Sequence, residues 1–441
     1  MVTPTRNQAQ VDRLYNVVLV AVLLVSASTW IYVNRILIPQ QIADAEVRHQ
    51  PRGSFSDLYP RWLGARELLR HGRNPYGADV TREIQQGYYG RALDPANPND
   101  PKDQQGFAYP VYVVFLLSPT VGLPFDVVQD GFRVLLVLLA VADVFLWLRV
   151  LQWRLATKWK IALIVLMLGW LPMVQGVKLQ QLTLLVTALL AGCGACLASG
   201  WLAVAGVLLA LATIKPQLAG PLAVWLVVWA LSEWKTRWRF LAGFAGSMAV
   251  LLCGAQILLP GWWAMFLQAV REYRVYTQGE ALLVFLFGGV AGRVLQIISL
   301  LVCGAIVWRW RKQQASSPEF GASIALILAL TLVLLPITAL YNQVLLAPAI
   351  LALLQRQEPK DAARKMIHLL RLVCWMVLIW PWLATFGLSC AYPWMTPDAR
   401  QKLYSAPFLT SLTLPLVVLG LAALQLWRYQ ARGLRENAGA E

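Results

Sequence analysis

One aspartate and a small set of lysines, arginines and amide side chains are the residues of this chain whose types and positions suit chemistry. Asp57 stands near the head of the stretch SDLYPRWLGARELLRHGRNPYG. A carboxylate can take a proton from a hydroxyl group, and Lys or Arg can hold a phosphate through charge-assisted hydrogen bonds. The other candidates, as substrate-binding residues, are Lys178, Gln180, Gln181, Lys215, Gln217, Arg293, Tyr341 and Asn342.

Composition places these residues in a membrane protein. Of the 441 residues, 58% are apolar and 14% are charged, and the mean hydropathy is +0.57. Soluble domains carry about a quarter charged residues. The net charge of +16 would suit nucleic acid, but no basic stripe with interleaved aromatic residues lies outside the apolar runs. We therefore expect the lipid bilayer, and no nucleic acid, as a partner.

Apolar runs of membrane-crossing length recur along the chain. A bilayer crossing takes roughly 17 to 25 residues. The predicted spans are 15–38, 125–150, 160–176, 181–198, 201–214, 216–232, 238–259, 285–309, 321–338, 340–355, 366–386 and 405–427. The sequence thus predicts an all-α polytopic protein, in which residues 1–441 form one membrane domain of about twelve transmembrane helices.

The distribution of Lys and Arg orients these spans. Short loops rich in Lys and Arg stay in the cytoplasm, and such residues concentrate at 6–13, 149–160, 235–239, 309–312, 356–371 and 428–435. Residues 1–14 and the tail 428–441 are therefore predicted to be cytoplasmic, with outer loops at 39–106 and 260–284. We expect insertion in the inner (plasma) membrane of the cell, with the candidate residues on the extracytoplasmic face.

The apolar segment 107–124 is the exception to this pattern. A full crossing there would invert every later span and place the basic stretch WKTRWR outside. Pro110, Pro119 and Pro124 interrupt the segment or flank it, and proline removes a backbone donor and breaks regular helix. We predict a re-entrant or short half-crossing segment that is packed within protein at membrane depth.

The first outer loop contains two predicted amphipathic helices. One begins after Asp57 and ends at the HGRNP turn, and the other covers about 79–89. The first helix has apolar and charged residues at helical spacing, so we expect it to lie flat on the membrane with its apolar face down.

Simpler roles stay open for the charged candidates. Asp57 with Ser54 makes a weak helix-capping pattern. The arginines of the same helix fit a solvated face: Arg61, Arg66 and Arg70. Lys178 and Lys215 fit snorkelling to the membrane interface. An arginine inside the membrane, such as Arg293, costs free energy of insertion and usually faces a cavity or a partner.

The six cysteines predict neither a disulfide framework nor a metal site. Only Cys390 lies in a predicted outer loop. Cys193 and Cys196, in the sequence CGAC, fall inside an apolar span, where small residues usually serve packing. No nucleotide-binding loop is visible in the sequence, and a lone acidic residue among the candidates gives no reason to predict a metal, so we expect no metal and no cofactor.

In the membrane setting, the candidate residues suit transfer from a lipid-carried phosphate donor. Lys or Arg at the depth of the interface would hold the anionic headgroup. Asp57 would serve as the base for a sugar hydroxyl, and amide side chains such as Gln180, Gln217 and Asn342 would bind sugar hydroxyls. Paired carboxylates of the hydrolase kind are not evident.

Five stretches, in this order, resemble the polyprenol-phosphate-sugar-dependent glycosyltransferases of family 87, which have the GT-C fold and include mannosyltransferases. The stretches are SDLYPRWLGARELLRHGRNPYG, FAYPVYVVFLLSP, KLQQLTLLVTALL, LALATIKPQLAGPLAVWLVV and LPITALYNQVLLAPAI. Asp57 matches the position of the catalytic aspartate of the family, and 215–217 match its Lys-Pro-Gln element. Relatives often carry Trp and His where 340–342 stand here, a departure that bears on the sugar or acceptor preference.

The resemblance implies an inverting hexosyl transfer. An acceptor hydroxyl, deprotonated by Asp57, would attack the anomeric carbon of a polyprenyl-phosphate hexose, and mannose is the commonest sugar in the family. Lys178, Lys215 or Arg293 would stabilise the leaving phosphate. The implied acceptor is a glycan, a glycolipid or a protein.

Two alternatives from other classes remain at this point. A transporter or lipid flippase would also have about twelve spans and a polar cavity, but it should show repeated halves and broken helices near the midplane, and no convincing repeat is seen. A non-catalytic scaffold would bind a partner through 260–284 and the first outer loop.

Overall fold

The computed structural model of the protein describes residues 6–53, 55–94, 96–97, 99–336, 339–355 and 364–438. Within these residues the regular structure is helical and contains no strand, which confirms the all-α prediction. Ser54 of the capping pattern and the basic stretch 356–363 lie outside the described residues.

The first half of the chain contains ten α-helices in its described residues. These are α1 (Arg6–Tyr32), α2 (Ile38–Val47), α3 (Tyr59–His71), α4 (Ala78–Tyr89), α5 (Val113–Leu117), α6 (Phe125–Val150), α7 (Thr157–Leu168), α8 (Leu171–Lys178), α9 (Leu182–Ala198) and α10 (Leu202–Ala212). A π-helical turn at Val33–Leu37 joins α1 to α2. The helical stretch thus continues to Val47, past the predicted end of the first span at residue 38, while the start of the first outer loop stays a prediction.

The described residues of the second half of the chain contain ten more α-helices. These are α11 (Pro216–Ser232), α12 (Trp234–Leu258), α13 (Trp262–Thr277), α14 (Leu282–Phe287), α15 (Gly289–Arg309), α16 (Pro318–Leu334), α17 (Ala347–Gln355), α18 (Arg364–Ala391), α19 (Pro397–Leu403) and α20 (Leu414–Ala438). A 3₁₀ segment, Leu340–Leu346, leads directly into α17.

Several of these helices are long and apolar enough to cross a bilayer. Five such segments occur among the described residues: Gln10–Val47, Phe125–Val150, Trp234–Leu258, Gly289–Arg309 and Leu369–Trp394. The pair α7 and α8, bent by 59°, makes a sixth if it counts as one span. Apolar side chains such as Ile257 (82% exposed) and Val290 (80% exposed) cover the outward faces, as a lipid surrounding requires.

The protein is therefore multi-pass, which is compatible with a GT-C-like architecture, but the count of about twelve spans stays a prediction. Several predicted spans, among them 181–198 and 216–232, form apolar helices of only 10–17 residues. These two helices, at 17 residues each, reach only the lower end of the roughly 17 to 25 residues that a straight crossing takes.

The apolar face of the amphipathic helix α3 is covered by protein and not by lipid, contrary to the prediction; its orientation relative to the membrane stays a prediction. Its apolar residues Trp62, Leu63 and Leu68 are buried within the protein. The ring of Phe107 packs against the bare backbone of Gly64, where an added Cβ would come within 2.4 Å of it. The segment 107–124 thus supplies the apolar surface that we had assigned to lipid.

The segment 107–124 contains no helix of crossing length. It forms only the short α5 and a 3₁₀ turn at Ser118–Thr120. Val111, Val113 and Val114 are completely buried, so the first part of the segment, 107–117, packs inside the protein, as predicted. Ser118, Pro119 and Leu123 are exposed, contrary to the prediction for the whole segment. Its depth in the membrane stays a prediction.

Candidate active site

Asp57 lies in the turn that precedes α3. Its backbone N–H donates to the carbonyl oxygen of Leu179 over 3.1 Å, which ties this turn to the end of α8. The N-cap position of α3 is Leu58, and no side chain caps the helix. The carboxylate Oδ2 of Asp57 instead accepts a hydrogen bond from Nε2 of Gln181. The helix-capping interpretation of Asp57 is therefore wrong.

Gln180 shapes the turn that brings Gln181 to Asp57. Its φ of 51° lies in the left-handed region, which lets the chain reverse between α8 and α9. The side chain is fully buried: its amide nitrogen donates to the carbonyl oxygen of Gln129, and its amide oxygen accepts from the hydroxyl of Ser56. Both ends of this amide are thus engaged by the protein itself.

A chain of polar side chains runs from Asp57 into the protein. Lys215 Nζ donates to Oε1 of Gln181 at 3.0 Å and to Oγ1 of Thr183 at 2.8 Å. Thr183 Oγ1 in turn donates to Oδ1 of Asn342 at 3.0 Å. The start of α9, the residue before α11 and the 3₁₀ segment Leu340–Leu346 therefore meet at one point, although they are far apart in sequence.

Lys215 is a buried cation without a carboxylate partner. Lys215 is only 5% exposed, so its side chain does not snorkel to the membrane interface. The rings of Tyr109 and Tyr341 lie 5.6 and 5.5 Å from Nζ, and within the described residues it forms no ion pair. Burial lowers the pKa of Lys215, while Tyr109 and Asp57 act in the opposite direction.

Arg61 is the second cation beside Asp57. Its Nη1 donates to the backbone carbonyl oxygen of Asp57 at 2.7 Å, and its guanidinium carbon lies 4.9 Å from the ring centre of Tyr109. The solvated-face interpretation is therefore wrong for Arg61. Arg70, by contrast, is exposed as that interpretation requires.

Arg61, Gln181 and Lys215 line a cavity of about 390 Å³. Asp57 is not itself a lining residue but is joined to the cavity wall through Gln181. One face of α13 forms part of its wall, with Phe266, Val270, Tyr273 and Arg274 at helical spacing. The other lining residues are Ala108, Tyr109, Pro110, Ile214, Pro216, Gln217, Leu335, Pro336, Ala339, Tyr341 and Asn342. The three cations of the lining are Arg61, Lys215 and Arg274. None of them forms an ion pair with another described residue, so the cavity suits an anion.

The surroundings of Asp57 adjust its basicity. Burial raises the pKa of Asp57, and the nearby charge of Asp103 acts in the same direction. Arg61, Lys215 and the hydrogen bond from Gln181 oppose this rise without cancelling it. A raised pKa makes the carboxylate a better proton acceptor near neutral pH.

The structure brings together most of the residues singled out from the sequence. Gln181, Lys215, Gln217, Tyr341 and Asn342 all line the cavity. Lys178, at the end of α8, does not line it but lies within electrostatic range of Asp57. Arg293 is exposed on α15, away from the cavity lining, and in the described part of the chain it has no hydrogen-bond partner.

Sequence reasoning missed several members of the site. Tyr109 lies in the segment read only as re-entrant, and Thr183 lies two positions after Gln181 in the stretch KLQQLT. Tyr273 and Arg274 belong to the segment 260–284, which was predicted only as an outer loop. The prediction of a loop gave no reason to expect that one face of this segment would cover a cavity.

Comparison with known protein families adds one match, to glycosyltransferase family 87 over residues 107–336, which is more than half of the chain. The chain belongs to glycosyltransferase family 87. No curated protein and no solved structure matches it. The matched region of the family 87 model contains Lys178, Gln181 and Lys215, whereas Asp57 and Asn342 lie outside it.

Membership of family 87 makes the protein a membrane glycosyltransferase, with a sugar donor and an acceptor as its partners. It therefore favours glycosyl transfer over the transporter and scaffold alternatives. Since the match begins after Asp57, the case for this carboxylate rests on its hydrogen bond from Gln181 and on the nearby charge of Arg61 rather than on the family.

Proposed function

We propose that the protein transfers a hexose from a polyprenyl-phosphate donor to an acceptor hydroxyl on the extracytoplasmic face of the membrane, with inversion at the anomeric carbon. The observation that carries this proposal is Lys215, a buried cation on a cavity wall that one amide joins to Asp57. Mannose is the first sugar to test, because the sequence resembles the mannosyltransferases of the family.

The cationic cavity supports a phosphate donor. Burial of an unpaired charge is costly, and an anionic ligand would offset this cost at Lys215. Arg61 and Arg274 add positive charge to the same wall. When the bond between the anomeric carbon and the phosphate oxygen breaks, its electron pair stays on that oxygen, where Lys215 stabilises the developing charge.

The position of Asp57 supports its role as the base. The acceptor oxygen forms its new bond to the anomeric carbon on the face opposite the leaving phosphate, and its proton passes to the carboxylate of Asp57. Gln181 holds one carboxylate oxygen, and the other, which accepts no hydrogen bond from any side chain in the described part of the protein, would meet the hydroxyl. Attack from the opposite face inverts the configuration.

The test uses purified protein, radiolabelled polyprenyl-phosphate mannose and a membrane lipid extract as the source of acceptor. We expect the wild type to transfer sugar and Asp57→Asn to lose about 10²- to 10⁴-fold in rate, as is typical when a general base is removed. Asparagine can still accept the hydrogen bond from Gln181, so the variant should unfold at the same temperature or higher.

Other polyprenyl-phosphate hexoses are assayed in parallel. Failure of the wild type to transfer sugar from every one of them would refute the proposal. Full activity in the folded Asp57→Asn variant would keep the reaction but remove Asp57 as its base.

A further inference from the structure

A groove of about 510 Å³ lies between α15 and α20, apart from the candidate active site. None of its lining residues also lines the cavity of Lys215. Both helices pack on α16, in which every residue from Phe320 to Val333 is buried. Since no residue of α16 lines the groove, it opens on the side away from the protein core. Its lining residues are Val302, Ala305, Ile306, Arg309, Ala423, Leu424 and Trp427.

Most of the groove is apolar. The four lining residues of α15 follow one another at helical spacing and form a single face, which extends roughly 10 Å along the helix axis. Val302 and Trp427 are 50% and 55% exposed, so the groove is open to its surroundings. Gly289–Arg309 is long and apolar enough to cross a bilayer. The apolar part of the groove therefore faces the acyl chains of the lipids.

Arg309 stands at one end of the groove. It is the last residue of α15 and, like Trp427 on α20, the last lining residue of its helix in chain order. Both helices run towards their predicted cytoplasmic ends, and tryptophan is typical of the level at which a membrane meets water. Arg428 follows Trp427 and lies one turn beyond Leu424. The groove thus passes from an apolar channel to a cationic end at the predicted depth of the lipid headgroups.

The positive charge at this end is not compensated within the described residues. Neither Arg309 nor Arg428 forms an ion pair there, and neither pairs with Glu319 at the start of α16. The sequence contains no Asp or Glu from 281 to 318 or from 399 to 435, so neither helix supplies a carboxylate to the groove. Arginine binds phosphate oxygens through charge-assisted, often paired hydrogen bonds. The end of the groove therefore suits a phosphate group.

Charge and position decide between three kinds of occupant. A second copy of the chain, related by a two-fold axis, would place the same surface on both sides of the contact, so that arginine would meet arginine and repel it. A polyprenyl phosphate would need its phosphate on the opposite, predicted outer side to reach Lys215. A phospholipid of the cytoplasmic leaflet fits both features, because its acyl chain matches the apolar channel and its phosphate matches Arg309.

We infer that the groove binds one anionic phospholipid of the cytoplasmic leaflet, with an acyl chain between α15 and α20 and the phosphate on Arg309. A zwitterionic headgroup is disfavoured, because neither helix carries a carboxylate that could receive its ammonium group. A lipid that binds only the folded protein also stabilises it. The inference is independent of the proposed reaction, since it concerns the opposite predicted face of the membrane.

The test is equilibrium binding of radiolabelled dioleoyl phosphatidylglycerol to the purified protein in a neutral detergent. We expect saturable binding that unlabelled phosphatidylglycerol displaces. Dioleoyl phosphatidylcholine has the same chains without net charge and should displace the label less well. Polyprenyl phosphate, whose methyl-branched chain is wider than a fatty acyl chain, should also displace it less well.

Two variants connect the bound lipid to the groove. Arg309→Gln removes the charge and should weaken binding at least about tenfold, as expected for the loss of a hydrogen bond to a charged group. Ala305→Phe keeps the charge but fills the apolar channel, and it should weaken binding as well.

Each variant has a matched control. Arg239→Gln replaces an exposed arginine at the predicted cytoplasmic end of α12, and Val290→Phe adds bulk at the far end of α15. Both controls should bind phosphatidylglycerol as the wild type does. Thermal unfolding without added lipid confirms that all four variants are folded, and added phosphatidylglycerol should raise the unfolding temperature of the wild type and the controls more than that of Arg309→Gln.

Several results would overturn the inference. Equal displacement by phosphatidylcholine would remove the anionic headgroup, and tighter displacement by polyprenyl phosphate would assign the groove to that lipid. Unchanged binding in both Arg309→Gln and Ala305→Phe would place the lipid elsewhere. A lipid-independent dimer that Ala305→Phe dissociates would assign the groove to a second copy. No arm measures sugar transfer, so failure of the proposed function would leave this inference standing.

Discussion

Two buried cations, Lys215 and Arg237, differ in the partners that the protein gives them. They are 5% and 7% exposed, and neither forms an ion pair within the described residues. Arg237 lies near the predicted cytoplasmic end of α12, and Lys215 lies at the opposite, predicted outer side.

Arg237 is saturated by the backbone. Its Nη1 donates to the carbonyl oxygens of Trp229 at 2.6 Å and Arg311 at 2.8 Å, and its Nη2 donates to those of Lys312 and Gln313, each at 2.9 Å. The guanidinium carbon lies 4.1 Å from the ring centre of Trp229. These bonds join the end of α11 to the turn after α15, so this charge serves the fold.

Lys215 is bound only by side chains, and one side of it faces a cavity. Its acceptors, Gln181 and Thr183, are neutral, so the positive charge is not compensated locally. The comparison teaches that burial alone does not reveal function; the type of partner and the open wall distinguish the two sites.

The largest expected effect comes from Lys215→Met. We expect transfer to fall about 10²- to 10³-fold, the usual cost of removing one group that stabilises a developing negative charge. Stability should be unchanged or higher, because a buried unpaired charge disappears. Transfer rate and thermal unfolding are measured together, with the surface variant Lys158→Met as the control; equal rates in both variants would contradict the role of Lys215.

The reverse pattern is expected for Arg237→Met. Loss of its donors leaves buried carbonyl groups unsatisfied, which should lower the free energy of unfolding by at least about 2 kcal/mol. Transfer per folded molecule should not change. A stable Arg237→Met protein that has lost transfer would remove the distinction between the two cations.

A smaller effect than these changes in rate and stability is expected on the pH dependence of kcat/KM. Asp57 must be ionised to accept a proton, so activity should fall as the pH drops through its pKa, which burial raises above the ordinary value of 3.8. Lys215 lowers that pKa, so the acidic limb should move to higher pH in Lys215→Met. It should not move in Arg237→Met; a shift of the same size there would show that the limb reports global unfolding.

Chemical labelling tests whether the two cations lie on opposite sides of the membrane, with little expected effect on activity. In a background whose natural cysteines are replaced by serine, Asn97→Cys should react with an impermeant thiol reagent in intact cells, since it shares the loop of Asp57. Ser316→Cys, near the carbonyl groups that bind Arg237, should not react. Reversed labelling would invert the predicted topology.

The sequence predicted the hydrogen-bonded polar residues of the candidate site better than the residues around them. Asp57, Gln181, Lys215 and Asn342 were recognisable because polar residues are conspicuous at the ends of apolar runs. Arg61 was not, since helical periodicity gives the same pattern for an arginine in water and for one that bonds a carbonyl group inside a protein.

The missed parts of the fold have a common physical cause. Periodicity identifies an apolar face but not the surface that covers it. The face of α3 was assigned to lipid, yet it packs on the segment 107–124, and the face of α13 covers the cavity. Such contacts join segments far apart in sequence, so no local pattern encodes them.

The side-chain amide of Gln181 lies between the negative charge of Asp57 and the positive charge of Lys215. Its nitrogen donates to the carboxylate of Asp57 and its oxygen accepts from the ammonium group of Lys215. The amide therefore separates two groups that would otherwise form an ion pair. A direct pair would neutralise both, because the carboxylate would lose basicity and the lysine would lose its attraction for an anion. In the proposed mechanism, Gln181 thus keeps two opposite charges close to each other without letting them neutralise one another.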